Sequence, residues 1–158
     1  MSELDDLYQE VILDHYKKPR CCGCLCESSA SCTLYNPLCG DQVDFSIKLE
    51  GQKIADIAFS GHGCSISQAA ASMVSALCKG KSVADAKFLC SLFRSMMRGD
   101  KSGDEVEQLG DAVALEGVRK FSARVKCAML GWEAVEKCLE QALAKVDATR
   151  PSLLKVLE

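Results

Sequence analysis

The sequence predicts a single α+β domain in which a small antiparallel sheet carries helices on one face. Apolar and polar residues alternate between Val43 and Phe59, which is typical of a hairpin of half-buried strands. Apolar residues recur at helical spacing before and after this hairpin. The chain has 158 residues, 48% of them hydrophobic and 26% charged, which suits one compact core and excludes a disordered or fibrous chain.

The first predicted element is an amphipathic helix over residues 2 to 18. Apolar side chains such as Leu7 and Val11 recur in it at helical spacing, and Pro19 cannot continue it. The stretch from Cys21 to Asn36 is rich in cysteine, glycine and serine, and we expect it to form a loop.

Two strands follow in the sequence. Residues 43 to 49 and residues 55 to 59 alternate between apolar and polar, and the turn Glu50-Gly51-Gln52 separates them. An antiparallel hairpin is the simplest interpretation. The second strand is expected to end in a loop at Gly61-His62-Gly63-Cys64.

The rest of the chain is predicted to be mostly helical. Small residues between 69 and 77 form one helix, and residues 83 to 97 form a second that ends near Gly99. The polar stretch from Gly99 to Gly117 is expected to be a loop with a short helix around residues 106 to 115. A long helix is predicted from about Ser122 onward.

The charge of the chain argues against several classes of partner. Its 19 Lys and Arg residues against 22 Asp and Glu residues give a formal charge of −3, with no long run of either sign. We therefore expect no nucleic acid partner. No stretch approaches the roughly 18 apolar residues that a membrane span requires, and no export signal is recognisable. The expectation is a cytoplasmic protein without a membrane partner.

Eleven cysteines are the unusual feature of the composition. Their odd number and irregular spacing fit a disulfide framework poorly, which favours thiolate chemistry or metal binding. Cys39, Cys64 and Cys127 fall in predicted loops or near helix starts, and Asp41 offers a fourth, harder ligand. Three thiolates and one carboxylate suit tetrahedral Zn(II). The alternative is that the three cysteines are small apolar residues, and the spacing alone does not separate the two.

The other cysteines give weaker signals. Three lie inside predicted helices and are interpreted as core residues: Cys78, Cys90 and Cys138. Five crowd the predicted N-terminal loop: Cys21, Cys22, Cys24, Cys26 and Cys32. This group could form a second thiolate site, could be an oxidation hazard, or could have no function and reflect drift of the sequence in this lineage. Drift is favoured, because the neighbouring serines indicate a flexible loop.

Four segments resemble the NifU, IscU and SufU family of iron-sulfur assembly scaffolds. They read YQEVILDHYKKPR at Tyr8, NPLCGD at Asn36, GHGCSIS at Gly61 and FSARVKCAMLGW at Phe121, and the resemblance runs from about residue 4 to about residue 140. The chain is most similar to the SufU branch, because the segment from about Gly99 to Gly117 lengthens the interval between its second and third motif cysteines.

Two features of the IscU branch are missing. A lysine, Lys126, precedes Cys127 where IscU proteins have a histidine. The residues from Phe121 to Lys126 read FSARVK, in place of the Leu-Pro-Pro-Val-Lys chaperone-docking motif. Both departures favour the SufU branch.

The resemblance implies an α+β domain over residues 1 to 158, with about three strands, helices on one face and a non-matching tail from about residue 147. It implies a Zn(II) site formed by Cys39, Asp41, Cys64 and Cys127. Cys39 matches the sulfur acceptor, and Arg124 matches a supporting arginine near the site.

The resemblance also implies a function. The protein would accept persulfide sulfur from a SufS-like, PLP-dependent cysteine desulfurase and pass it to downstream iron-sulfur assembly proteins. It would act as the sulfurtransferase partner of that desulfurase more than as a standalone enzyme. Two alternatives remain: a scaffold that holds a transient [2Fe-2S] cluster on the same sulfurs, and an adaptor with purely structural zinc.

Overall fold

The computed structural model describes the backbone of residues 3–157 and the side chains of residues 5–145. Helices pack on one small sheet in this part of the chain, and one long segment is built of tight 3₁₀ turns. The elements in chain order are α1 (Glu3–Lys17), β1 (Ala30–Asn36), β2 (Asp41–Glu50), β3 (Lys53–His62), α2 (Ser65–Cys78), α3 (Val83–Arg98), the 3₁₀ segment (Gly103–Lys120) and α4 (Ser122–Leu157).

The three strands form one antiparallel sheet in the order β1-β2-β3. Val43, Phe45 and Ile47 are buried in β2, because the period of a strand places every second side chain on the same face. The rings of Phe45 and Phe59 stack across β2 and β3 with centroids 5.8 Å apart. The predicted fold class is confirmed.

Helices α2 and α4 pack against the sheet, and the other helices pack around these two. The ring of Trp132 in α4 stacks on Phe93 in α3 with centroids 4.1 Å apart. Cys78, Cys90 and Cys138 are fully buried, so their interpretation as core residues is confirmed. None of the helices in the described part of the chain is both long enough and apolar enough to cross a membrane.

The predicted loop from Cys21 to Asn36 is wrong in its second half, where β1 pairs with β2 over residues 30 to 36. Its side chains alternate between buried and exposed, but the buried positions carry Ala30, Cys32 and Asn36. These small and polar residues do not produce the strong apolar alternation from which a strand is recognised. The burial of these three positions depends on the packing of α4 on β1, which the sequence pattern does not show.

The first half of that predicted loop is tied to the sheet. The amide of Gly23 donates to the carbonyl of Phe59 at 2.7 Å, and the amide of Phe59 donates to Cys21 at 2.9 Å. The amide of Leu25 donates to the hydroxyl of Ser46 at 3.2 Å. The expectation of a flexible loop is therefore wrong for this segment, because its backbone forms hydrogen bonds with strand residues.

The polar stretch before α4 is more helical than predicted. The 3₁₀ segment is interrupted at Gly110, whose φ of 57° and ψ of −129° divide it into two parts. Val106, Leu109 and Leu115 are buried in it. The predicted short helix around residues 106 to 115 is thus part of a longer run, which the glycines obscured in the sequence. The side chains of the predicted tail from about residue 147 lie outside the described residues.

Candidate metal centre

The four predicted ligands come from three segments that meet at one end of the sheet. Cys39 lies in the turn between β1 and β2, and Asp41 is the first residue of β2. Cys64 lies between the end of β3 and the start of α2. Since β2 and β3 are antiparallel, the start of β2 lies beside the end of β3, where Gln42 pairs with His62. Cys127 approaches from the beginning of α4.

Ligand atoms of Cys39, Asp41 and Cys127 all lie within 4.8 Å of one another. The sulfurs of Cys39 and Cys127 are 3.4 Å apart. Cys64 is outside that three-way group, but its sulfur lies 4.0 Å from Oδ2 of Asp41. The structure therefore brings all four side chains to one place, with Cys64 the most distant member.

The donor set fits a tetrahedral zinc ion. Zinc-sulfur bonds of about 2.3 Å at the tetrahedral angle would separate two sulfur ligands by roughly 3.8 Å. The sulfurs of Cys39 and Cys127 are within a few tenths of an ångström of that spacing. The set therefore offers the three sulfur atoms and one carboxylate that a tetrahedral zinc ion can bind.

The carboxylate of Asp41 gives a second reason to expect a cation. The residue is fully buried, and within the described part of the chain no Lys, Arg or His side chain pairs with it. The amide of Cys64 donates to its Oδ1 at 2.8 Å, and the thiols of Cys64 and Cys127 are its other hydrogen-bond partners. A buried carboxylate without a counter-charge is costly, and a bound divalent cation would remove that cost.

The glycine before Cys64 allows this close approach. A Cβ atom on Gly63 would lie 2.3 Å from Oδ1 of Asp41, and the φ of Gly63 is +151°. Any side chain at this position would push the loop away from the carboxylate. The Gly61-His62-Gly63-Cys64 sequence thus places the Cys64 backbone directly on Asp41.

The Cys64 sulfur caps the N-terminus of α2. It accepts a hydrogen bond from the amide of Ser67 at 3.5 Å, as an N-cap residue does for a helix. The first turn of α2 thus fixes the position of this sulfur through its backbone. The donor is the backbone amide of Ser67, which every residue except proline offers, so the sequence carried no signal for this contact.

Cys127 is the most deeply buried of the three thiols. Desolvation, followed by side-chain hydrogen bonds with Asp41 and Cys39, raises its pKa well above the usual value. The metal-free thiol therefore keeps its proton at neutral pH. A cation would be needed to hold this sulfur as a thiolate.

Asn36 contacts the candidate centre, and this contact was not predicted from the sequence. The residue is buried, and its Nδ2 donates to the Cys127 sulfur at 3.8 Å. Its Oδ1 accepts from the amide of Leu38 at 3.2 Å. Asn36 thus connects the turn that carries Cys39 to the start of α4. The sequence Asn36-Pro37-Leu38-Cys39 could have indicated the second of these hydrogen bonds, because an asparagine side chain commonly accepts from the backbone amide two residues ahead.

The predicted supporting residue Arg124 lies beside the sulfurs. The Cys64 sulfur, and then the Cys127 sulfur, raise the pKa of its guanidinium group when they are thiolates, the state in which a bound cation would hold them. Arg124 and Cys64 also line a cavity of about 560 Å³ between α1, α2 and the start of α4. An exposed cation there would favour anionic sulfur.

Exposure distinguishes the three cysteines. Cys39 is exposed, Cys64 is half-buried and Cys127 is fully buried. A thiol on a partner protein can therefore reach Cys39 most easily. The N-terminal cysteines differ, because no three metal-binding groups including one of them converge within the described residues.

Comparisons with known proteins agree with this architecture. A family profile described as the NifU-like N terminal domain matches residues 7–128. The chain is 46% identical over 136 residues to the zinc-dependent sulfurtransferase SufU of Bacillus subtilis (strain 168), covering 86% of this chain and 91% of that protein. It is 39% identical over 142 residues to the iron-sulfur cluster assembly scaffold protein IscU of Streptococcus pyogenes serotype M1, covering 90% of this chain and 88% of that protein.

A solved structure shows the same fold. It is the crystal structure of an iron-sulfur cluster assembly scaffold protein for the SUF system from Fervidobacterium islandicum AW-1, which superposes with a TM-score of 0.77 at 31% identity. The superposition covers 82% of this chain and 94% of that one. The chain therefore belongs to the family of NifU-like N-terminal domains, as its motifs predict.

Proposed function

We propose that the chain is a zinc-dependent sulfur-transfer protein in iron-sulfur cluster assembly. It accepts persulfide sulfur on Cys39 from a SufS-like, PLP-dependent cysteine desulfurase and passes it to downstream assembly proteins. Cys39, Asp41, Cys64 and Cys127 hold the zinc ion. The similarity to a protein named as a zinc-dependent sulfurtransferase supports this function.

The observation that carries the proposal is the unequal exposure of neighbouring sulfurs. The sulfurs of Cys39 and Cys127 are 3.4 Å apart, yet Cys39 is exposed and Cys127 is fully buried. In a purely structural zinc site, protein side chains fill all four coordination positions, and none of them needs to be accessible to a partner. An exposed thiol within a metal-binding set suits a group that reacts with a partner.

The transfer step needs no oxidant. A bound zinc ion would hold the sulfurs as thiolates at neutral pH. The Cys39 thiolate attacks the outer sulfur of the desulfurase persulfide, and the bond between its two sulfurs breaks. The electron pair leaves with the desulfurase thiolate, and Cys39 retains the outer sulfur with its proton.

Arg124 acts as a supporting residue in this step. Its guanidinium group lies next to the Cys64 and Cys127 sulfurs and is itself exposed. It can therefore stabilise anionic sulfur as a partner approaches. The adjoining cavity gives room for the desulfurase segment that delivers the persulfide.

Substitution of Cys39 tests the proposal. We expect Cys39→Ser to eliminate most of the stimulation of a cognate desulfurase while the circular dichroism spectrum stays native. Cys24→Ser is the matched control, because Cys24 is also exposed and lies outside the candidate centre. Unaltered stimulation in Cys39→Ser would refute sulfur acceptance at this residue.

The second candidate is a scaffold on which a [2Fe-2S] cluster is assembled. The same thiolates suit iron-sulfur clusters, and one similar protein is named as such a scaffold. Elemental analysis separates the two: about one zinc per chain without visible absorbance supports sulfur transfer, and a brown protein with stoichiometric iron supports the scaffold. The structural-zinc adaptor is less well supported, since it gives no role to the exposure of Cys39.

A further inference from the structure

A groove of about 440 Å³ lies between β1, α3 and α4. It is separate from the cavity beside Cys64, and it contains none of the four candidate ligands. Asn36 lies at its edge and also donates to the Cys127 sulfur. The groove therefore adjoins the candidate centre through one buried side chain.

The polar rim of the groove carries an excess of positive charge. Arg94, Arg98 and Lys126 line it together with a single acidic side chain, Glu133. Arg94 is paired with Glu136 of α4. Among the described residues, neither Arg98 nor Lys126 has an ion-pair partner. Two cations therefore remain available at the rim of the groove.

Arg124 and Lys126 lie two residues apart near the start of α4 and line different surfaces. Arg124 lies beside the Cys64 and Cys127 sulfurs and lines the other cavity. Lys126 is exposed and lines the groove. Lys126, and not Arg124, is therefore placed to meet an anionic group in the groove.

The floor of the groove is apolar. Met97, Met129 and Leu130 line it and are mostly buried, and Tyr35 borders it with 58% of its surface exposed. Methionine side chains adapt readily to differently shaped apolar groups. An apolar floor with a cationic rim matches an amphipathic segment that has acidic and apolar side chains.

We propose that this groove is a docking site for an acidic, amphipathic segment of a partner protein. Charge complementarity with Arg98 and Lys126 orients the segment, and its apolar side chains contact the methionine floor. Nucleic acid fits the groove less well, because the floor is apolar, Glu133 borders it and the whole chain carries a charge of −3. This proposal does not depend on which metal the neighbouring centre holds.

The test is a titration of the full-length protein with a labelled peptide. The probe is a fluorescein-labelled amphipathic helix of glutamate and leucine, compared with the same peptide carrying glutamine in place of glutamate. We expect the glutamate peptide to bind and the glutamine peptide to bind much more weakly. The double variant Arg98→Glu/Lys126→Glu should bind the glutamate peptide at least about tenfold more weakly, since each reversal replaces an attraction with a repulsion.

The matched control changes the net charge equally at another surface. Lys53 and Lys87 are both exposed, and neither lines the groove. The variant Lys53→Glu/Lys87→Glu should bind the peptide as the native chain does. Three results would overturn the proposal: no binding of the glutamate peptide, an equal loss in both double variants, or tighter binding of a single-stranded RNA that displaces the peptide.

Discussion

The two groups of cysteines in this chain differ in how sequence distance relates to distance in space. Cys21, Cys22, Cys24 and Cys26 are crowded in sequence, yet none of them belongs to a cluster of metal-binding groups among the described residues. Cys39 and Cys127 are separated by more than half of the chain, yet their sulfurs are 3.4 Å apart. Density of cysteines in the sequence is therefore a poor guide to a metal site here.

The difference arises from the elements that carry each group. Strand pairing places Asp41 beside the end of β3, and the packing of α4 on the sheet delivers Cys127 to the same end. The N-terminal cysteines instead follow one irregular segment whose backbone is bound to Phe59 and Ser46. Its chain direction changes at Cys21 and Gly23, whose φ angles are positive, and within the described residues it does not bring three metal-binding groups together.

Removing the buried candidate ligand Cys127 should produce the largest contrast between the two groups. We expect Cys127→Ala to weaken zinc binding by more than the roughly 100-fold that loss of an outer partner costs. Cys26→Ala, which removes an exposed thiol of the N-terminal group, should bind zinc as the native chain does. Competition with a chromogenic chelator measures both affinities, and equal affinities would exclude Cys127 as a ligand.

The Cys64 loop offers the next largest effect. We expect Gly63→Ala to lower the free energy of unfolding by roughly 3 kcal/mol, because the new methyl group would collide with Asp41 and the backbone conformation suits glycine. Gly51→Ala is the control: its φ is also positive, at +62°, but nothing lies within 4 Å of the added atom. That variant should lose only about 1 kcal/mol. Urea denaturation measures both, and equal losses would contradict close packing at Gly63.

Asp41 should have a smaller effect on zinc than any of the thiols. We expect Asp41→Ala to retain thiolate coordination but to bind zinc about ten- to a hundredfold more weakly. Asp44→Ala removes a carboxylate from the same strand, one that interacts with Thr33 and Gln42, and should leave zinc affinity unchanged. Unchanged affinity in Asp41→Ala would remove it from the ligand set.

Buried cysteines outside the centre should have no effect at neutral pH and should show only at alkaline pH, as a dependence of stability on pH. Burial raises the pKa of Cys138 from 9.0 to about 12. As pH rises, the Cys138 thiol therefore loses its proton in the unfolded chain before it does so in the folded chain. The free energy of unfolding is highest below about pH 9 and falls as pH rises toward 12, by about 1.4 kcal/mol per pH unit.

Urea denaturation of metal-free protein above pH 9 measures this slope. Cys138→Ala should make the slope shallower, whereas the control Cys24→Ala, which removes an exposed thiol, should not change it. An identical slope in the native chain and Cys138→Ala would contradict the burial effect.

The parts of the fold with strong periodicity could be predicted from the sequence. The hairpin of β2 and β3 and the helices α1, α2 and α3 follow from the spacing of apolar residues. Strand β1 could not be recognised, because its buried positions include Cys32 and Asn36, which do not signal a strand. The length of the 3₁₀ segment was missed because glycines interrupt it.

The candidate centre was predicted from its motifs, and its assignment as a zinc site stays a prediction. Residue types and a family resemblance selected Cys39, Asp41, Cys64 and Cys127. Spacing alone could not do so, because their proximity depends on strand register and on helix packing. The contribution of Asn36 was missed for the same reason, since it contacts a sulfur that lies far away in the sequence.

We expect an exposed sulfur of the converging group, and none of the crowded N-terminal group, to accept sulfur. Peptide mass spectrometry of the protein after incubation with a PLP-dependent cysteine desulfurase and cysteine tests it most directly. The account predicts one added sulfur atom on the peptide that carries Cys39. Added sulfur confined to the peptide of Cys22, Cys24 and Cys26, or absent from the whole chain, would contradict it.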